Sequence, residues 1–288
     1  MRKIRIEQLE AGMILAKSIY GTDGRVLVRE QTVLNPITIE RLRDMGFPAV
    51  YIKQSSRPVA DLVSDITRVD LIRSLSKLDN SIRAGKKLDL LESRKSLMLL
   101  IDEVVKNRKE MLSDFPDIRM HSDYLYGHSV NVSVIAVKIG LKLGYNELKL
   151  SDLAIGTLFH DIGMTQIPLG ILNKTAPLNT DELDQIRKHP ENGFKLLKDV
   201  YGISAVAANV AYQHHERFDG TGYPRKLVGK NILEFARIVA VADVFDALTT
   251  EKVYRSAISS QEALICIKAK AGSDFDPEIV ELFEQIIG

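Results

Sequence analysis

The chain has 288 residues, 45% hydrophobic and 27% charged, which leaves room for one large domain or a medium and a small one with a real core. Lysine and arginine total 39 against 38 aspartate and glutamate, and the formal charge of +1 provides no general attraction to DNA, RNA or an anionic membrane. Any anionic substrate must therefore be held locally. The single cysteine, Cys266, excludes an internal disulfide framework, fits a reducing compartment, and reads as a small buried apolar residue.

The opening Met1-Arg2-Lys3-Ile4-Arg5-Ile6-Glu7 lacks the apolar centre of a signal peptide. No apolar stretch reaches the roughly 18 uncharged residues that span a bilayer. The longest candidates are interrupted by Lys138, Lys142, His160 and Asp161. A cytoplasmic protein without membrane insertion is expected.

Residues 1 to 55 read as a small β-rich module. Met13 to Tyr20, a turn at Gly21-Thr22-Asp23-Gly24 and Val26-Leu27-Val28 predict a hairpin. Asn35-Pro36 opens a short helix over Thr38 to Met45, Gly46 stops it, and Pro48 to Ile52 resumes a strand. Gln54-Ser55-Ser56-Arg57-Pro58 breaks both periodicities and is the candidate linker. Beyond it the pattern is helical: Val59 to Ile82, Leu88 to Met111, Val130 to Leu143, Asp152 to Asp161 with Gly163 placed to end it, Asp181 to Lys188, a restart at His189-Pro190, Ile203 to His215, Phe235 to Leu248 and Gln261 to Lys270.

All six histidines lie between His121 and His215, a clustering that suits metal binding. His160-Asp161 ends an apolar run, where an unpaired charge is costly, so Asp161 needs a cation or a metal beside it. Ile203, Ala207, Val210 and His214 share one helix stripe, which points His214 inward; His215 is about 100° further round and joins it only if the helix ends there. Asp243 follows Val239 and Ala236 at i+4 and i+7, so it also points inward and needs a partner, either a salt bridge or a metal. Asp246 could support a ligand from behind or simply be hydrogen-bonded in its helix.

His128-Ser129, His160-Asp161-Ile162-Gly163, His189-Pro190 and the string His214-His215-Glu216-Arg217-Phe218-Asp219-Gly220-Thr221-Gly222-Tyr223-Pro224 resemble the motifs of the HD-GYP family, a branch of the HD-domain phosphohydrolases. The resemblance runs from about Asp123 to Phe283, and residues 1 to 55 resemble a small domain that often precedes such domains. It implies a mainly α protein: an all-helical HD-GYP domain at 121–288, a helical connecting region at 56–120, and a small β-rich (α+β) N-terminal domain at 1–55, a structural or regulatory addition. It also implies hydrolysis of the bacterial second messenger cyclic di-GMP to pGpG or GMP at a two-metal centre. By position the ligands fall on His128, His160 and Asp243 for one metal and on His189, His214 and His215 for the other, with Asp161 bridging. A ligand set of nitrogen and oxygen without thiolate suits iron or manganese and leaves zinc and nickel open. Two cations about 3.5 to 4 Å apart activate a bridging water for attack and clamp the phosphate. Lys252 and Arg255 match phosphate-contacting positions, or are solvated surface charges; Gly222, Tyr223 and Pro224 shape the pocket or face a diguanylate cyclase (GGDEF) partner. A homodimer through the helices between about Val59 and Met111 is a further expectation.

Two positions depart from the family pattern. Met164 replaces the lysine of His-Asp-x-Gly-Lys, which in the family contacts the scissile phosphate or assists the leaving group, and a thioether does neither. Tyr124 stands where some members carry a third-metal glutamate, which favours two metals. His121 matches no ligand position and reads as surface. Met164 sets up an alternative: a weak or inactive HD-GYP protein that binds cyclic di-GMP or a GGDEF partner as a sensor or scaffold.

Overall fold

Two hydrophobic cores organise the chain in the computed structural model, which describes residues 2–21, 25–53, 62–109, 124–174, 176–200, 203–250 and 257–287. The predicted turn at residues 22–24, the linker at 54–58, His121, Lys252 and Arg255 lie outside the described residues. The smaller core belongs to β1 (Arg2–Arg5), β2 (Ile19–Tyr20), β3 (Val26–Val28), α1 (Pro36–Asp44) and β4 (Ala49–Ile52). β1 pairs antiparallel with β4, Arg2 opposite Ile52, and β2 pairs with β3 across the expected hairpin. Asn35 caps α1 by accepting from the Thr38 amide, 2.8 Å. Ile6, Leu15, Leu34, Leu42 and Phe47 fill the interior.

The larger core is helical. It is built from α2 (Asp65–Arg83), α3 (Leu91–Lys106), α4 (Tyr124–Lys142), α5 (Glu147–Leu158), the short α6 (Leu169–Leu172), α7 (Thr180–Ile186), α8 (His189–Leu197), α9 (Ala205–Gln213), α10 (Glu234–Thr249), α11 (Ser260–Lys268) and α12 (Pro277–Ile287). α4 and α10 carry apolar residues on most sides and lie at its centre, with Val132, Val134, Ile135, Val239 and Val241 fully buried. Leu71, Ile72 and Leu75 of α2 and Leu97, Leu100 and Val104 of α3 join the same core. The two cores are tied by Lys17, whose ammonium lies 3.1 Å from Asp65 at the start of α2.

Several boundaries differ from the sequence expectation, each for a local reason. α2 starts at Asp65 rather than Val59, because the Ser64 hydroxyl caps the Thr67 amide. α4 reaches back to Tyr124, so His128 lies inside the helix instead of before it. α5 starts earlier, at an Asn146 cap, and ends at Leu158, leaving His160 and Asp161 in the turn before a 3-10 segment over Ile162–Gln166. Gly163 therefore does not stop a helix. α12 was not anticipated. Cys266 is exposed, contrary to expectation: Ala263, Leu264 and Ile267 take the inward face of α11 and turn residues 265 and 266 outward. Among the described residues, no helix is long and apolar enough to cross a membrane.

Candidate metal centre

Seven side chains from five segments converge on one cluster. Asp161, His189, His214 and His215 form one group and His128, His160 and Asp243 a second, and within each group the ligand atoms lie within 4.8 Å of one another. Asp161 connects them. Its Oδ1 is 3.2 Å from His189 Nε2 and 3.5 Å from His214 Nε2, while its Oδ2 is 3.5 Å from His160 Nε2. Each oxygen of the carboxylate thus faces a different group.

Helix ends put the histidines there. α9 stops at Gln213, so His214 is its cap and His215 swings beside it, with ring centroids 4.1 Å apart. His189 opens α8, where Pro190 suits the first turn because its missing N–H has no partner there anyway. His160, His189 and His214 each place Nδ1 on the carbonyl three residues back, those of Thr157, Ile186 and Ala211, at 2.7, 2.7 and 3.0 Å. A carbonyl only accepts, so Nδ1 donates to it and Nε2 is the ring atom that points to the cluster.

His128 is held by a carboxylate in the same way. His128 and Asn131 on α4 face Asp243 and Asp246 on α10, each pair three residues apart and so on one helix face. His128 Nδ1 lies 2.7 Å from Asp246 Oδ2, His128 Nε2 lies 3.0 Å from Asp243 Oδ1, and Asn131 Nδ2 donates to Asp246 Oδ1 at 2.9 Å. Asp246 therefore supports a cluster residue from behind, the first of the two roles open to it in the sequence.

The electrostatics suit a cation. Burial works to raise Asp161, but His160, His189 and His214 beside it hold the carboxyl well below its usual range. Asp243 is lowered as well: the hydrogen bond from His128 outweighs burial. Burial lowers His160, and burial together with His214 takes His215 well below the ordinary histidine value, so both rings are neutral and can ligate. His128 is raised well above it, because its bonds to Asp243 and Asp246 outweigh burial. His160 Nε2 and Asp161 Oδ1 are buried without a hydrogen-bond partner of acceptable geometry, and the Nε2 atoms of His189 and His214 face each other at 3.2 Å. Buried atoms left in that state are costly unless a proton or a cation joins them. The residues fit a divalent metal.

The loop after His215 packs onto the cluster. Tyr223 stacks on the His215 ring at 4.8 Å, and its amide donates to the His215 carbonyl at 3.2 Å. A Cβ on Gly222 would come within 2.2 Å of the Arg217 amide nitrogen, so only glycine fits. The Tyr223–Pro224 peptide is cis, and Pro224 is exposed. Buried Glu216 closes the loop by accepting from the amides of Arg225 and Leu227 at 2.7 and 2.9 Å. Met164 is half-buried, and the Arg83 guanidinium donates to its carbonyl at 3.3 Å and to that of Ile167 at 3.2 Å. Glu216 and Asn131 take roles here that the sequence pattern does not assign. Both are polar residues in apolar or motif surroundings, and that was the available signal.

A helical fold with a histidine–aspartate cluster defines the class, and comparison agrees: residues 113–279 match the family model of the HD domain, and the chain belongs to the HD domain family. The loop at Gly222-Tyr223-Pro224 is the feature by which the chain resembles the HD-GYP branch of that family. The cyclic di-GMP phosphodiesterase PA4108 of Pseudomonas aeruginosa is 33% identical over 192 residues, which cover 66% of this chain and 46% of that protein. The cyclic di-GMP phosphodiesterase response regulator RpfG of Xanthomonas campestris pv. campestris is 36% identical over 64% of this chain and 50% of its own. The 3'3'-cGAMP-specific phosphodiesterase 2 of Vibrio cholerae is 28% identical over 83% of this chain and 45% of its own. The chain spans about half the length of these curated relatives. An HDG"Y"P protein of Bdellovibrio bacteriovorus, Bd1817, shares the fold with a TM-score of 0.65 at 18% identity over 99% of both chains.

Proposed function

We propose that this protein is a metal-dependent phosphodiesterase that hydrolyses cyclic di-GMP to pGpG, GMP or both. The observation that carries the reading is the Asp161 carboxylate, whose two oxygens face two separate ligand groups. His128, His160 and Asp243 would hold one divalent ion and His189, His214 and His215 the other, with Asp161 shared; iron or manganese suits these donors best, with zinc and nickel as the alternatives. When bound, such a pair supplies charge neutralisation at the phosphate and an activated water. The chain's own part is orientation. Backbone carbonyls and Asp246 fix the imidazoles, Asp161 stays ionised, and Tyr223 packs behind His215. Lys252 and Arg255 would contact the phosphates and Gly222, Tyr223 and Pro224 the ligand, with the same loop as the face for a GGDEF-domain partner. Residues 1–55 would act as a regulatory module, 56–120 as a connecting region that also carries a homodimer contact, and 121–288 as the HD-GYP domain.

Incubation with cyclic di-GMP under manganese(II) or iron(II), followed by chromatography of the products, tests this, with 3'3'-cGAMP run in parallel because relatives act on either nucleotide. Failure to cleave cyclic di-GMP counts against it, whether or not 3'3'-cGAMP is cleaved. Met164 favours a second reading, a sensor or scaffold that binds the nucleotide and does not turn it over. A missing positioned cation costs on the order of 3 kcal/mol of transition-state stabilisation. Binding without turnover in the parent, with hydrolysis emerging in Met164→Lys, would establish the second reading.

A further inference from the structure

α2 precedes the segment matched by the family model, yet it reaches the metal centre through an unbroken chain of buried polar groups. Arg68, 1% exposed on α2, donates from Nη1 to Asn131 Oδ1 at 2.9 Å. Asn131 donates from Nδ2 to Asp246 Oδ1 at 2.9 Å, and Asp246 Oδ2 is bound to His128 Nδ1 at 2.7 Å. Asn131 and Asp246 are 3% and 2% exposed, so water does not substitute for any of these bonds. A second Arg68 nitrogen, Nε, is fixed on the Val63 carbonyl at 3.4 Å.

The chemistry gives each link a direction. A guanidinium only donates and an ionised carboxylate only accepts. Asn131 lies between them, so only one orientation of its amide satisfies both: oxygen to Arg68, nitrogen to Asp246. With Arg68 removed, the amide is free to rotate, the Asp246 carboxylate loses its anchored donor, and the His128 ring loses the fixed acceptor that holds it in one plane and one tautomer. Groups that orient a ligand in this way tune metal affinity strongly. A buried arginine is also expensive to keep without a compensating anion, and Asp246 is the carboxylate to which the chain leads.

We propose that Arg68 is a positioning residue of the metal centre, acting through Asn131 and Asp246 on His128; this rests on the reading of His128 as a metal ligand. The helix that carries Arg68 is thus part of the site's framework.

The test is calorimetric titration of the 288-residue apoprotein with manganese(II), for the parent, Arg68→Met, Arg68→Lys and a His128→Ala reference, with folding of each checked by circular dichroism. The expected result is a loss of roughly 10- to 100-fold at the one binding step that His128→Ala abolishes, with the other step unchanged. Lysine keeps the charge and one donor but not the fork, so it recovers part of that affinity. Parent affinity at that step, or equal weakening of both steps as a merely structural role would produce, overturns the proposal. Should Arg68→Met fail to fold, Arg68→Lys decides alone: selective weakening supports the proposal, and an unchanged or uniform response overturns it. A parent protein that binds no manganese refutes the metal-site reading itself, a result distinct from any response of the Arg68 variants.

Discussion

Gly163 lies so close to the carbonyl of His189 that a Cβ built on it would sit 2.0 Å from the oxygen. This contact presses the turn that bears Asp161 against the start of α8, and the space it occupies exists only because residue 163 has no side chain. Gly163→Ala must push the two backbones apart. Overpacking of this kind costs about 1–3 kcal/mol, with the upper end expected here because the obstacle is backbone. Since His189 itself moves, metal content should fall along with the melting temperature. Denaturant unfolding and metal analysis of the purified variant check both; an unchanged melting temperature would show that the turn relaxes freely.

Asp161→Asn keeps the shape of the side chain and removes its charge. One amide oxygen can serve one cation, whereas the carboxylate has an oxygen toward each group. The variant should bind at most one manganese equivalent and lose hydrolysis entirely, while remaining folded. Retention of two equivalents would remove Asp161 from the bridge.

Gly222→Ala places a Cβ against the Arg217 amide nitrogen and the Glu216 and His215 backbone, and so displaces Tyr223 from the His215 ring. Tyr223→Phe keeps the stacked ring and should retain near-parent metal affinity. Tyr223→Ala removes the stack and should weaken binding at the His189–His214–His215 group by about 1 kcal/mol, the usual worth of an aromatic pair. Calorimetry on the pair of tyrosine variants separates packing from the phenol hydroxyl.

Asp276 anchors the start of α12. It accepts from Lys230 at 3.0 Å, from the Glu278 amide at 3.0 Å and from Arg237, and is 1% exposed. Burial alone would raise its carboxyl, but the hydrogen bonds from Lys230, the Glu278 amide and Arg237 hold it below the usual carboxylate range. A carboxyl lowered in the folded state contributes stability that is present above its unfolded pKa and is lost as pH falls through the folded value. Asp276→Asn should therefore cost about 3 kcal/mol at pH 7, since it leaves Arg237 partly buried and unpaired. The difference from the parent should shrink as pH drops through the acid range. Urea titrations of both proteins across that range provide the measurement; a pH-independent difference would count against the ion pair.

Much of the site was legible in the chain. His214 and Asp243 fall on inward stripes at helical spacing, and both are in the cluster. His160-Asp161 at the end of an apolar run demanded a partner, and three neighbouring imidazoles supply it. The boundaries of α2 and α5 were misplaced because a serine or asparagine cap outweighs apolar periodicity within one turn. Gly163 occupies a position that suits a helix stop, while its real constraint is the His189 backbone, 26 positions further along the chain.

The amino-acid sequence by itself determined which residues are costly to bury alone, and hence which must meet: histidines and carboxylates on apolar stripes, with helix ends marked by caps, proline and glycine. Those are local properties, set by side-chain chemistry and by the 3.6-residue period. Tertiary structure alone decided which oxygen of Asp161 faces which histidine, that Gly222 is wedged beneath the His215 turn, and that Arg68, 60 positions before His128, stands behind that ring through Asn131 and Asp246. A hydrogen bond depends on direction and on distances of about 3 Å, and no periodicity along the chain carries that information across packed helices.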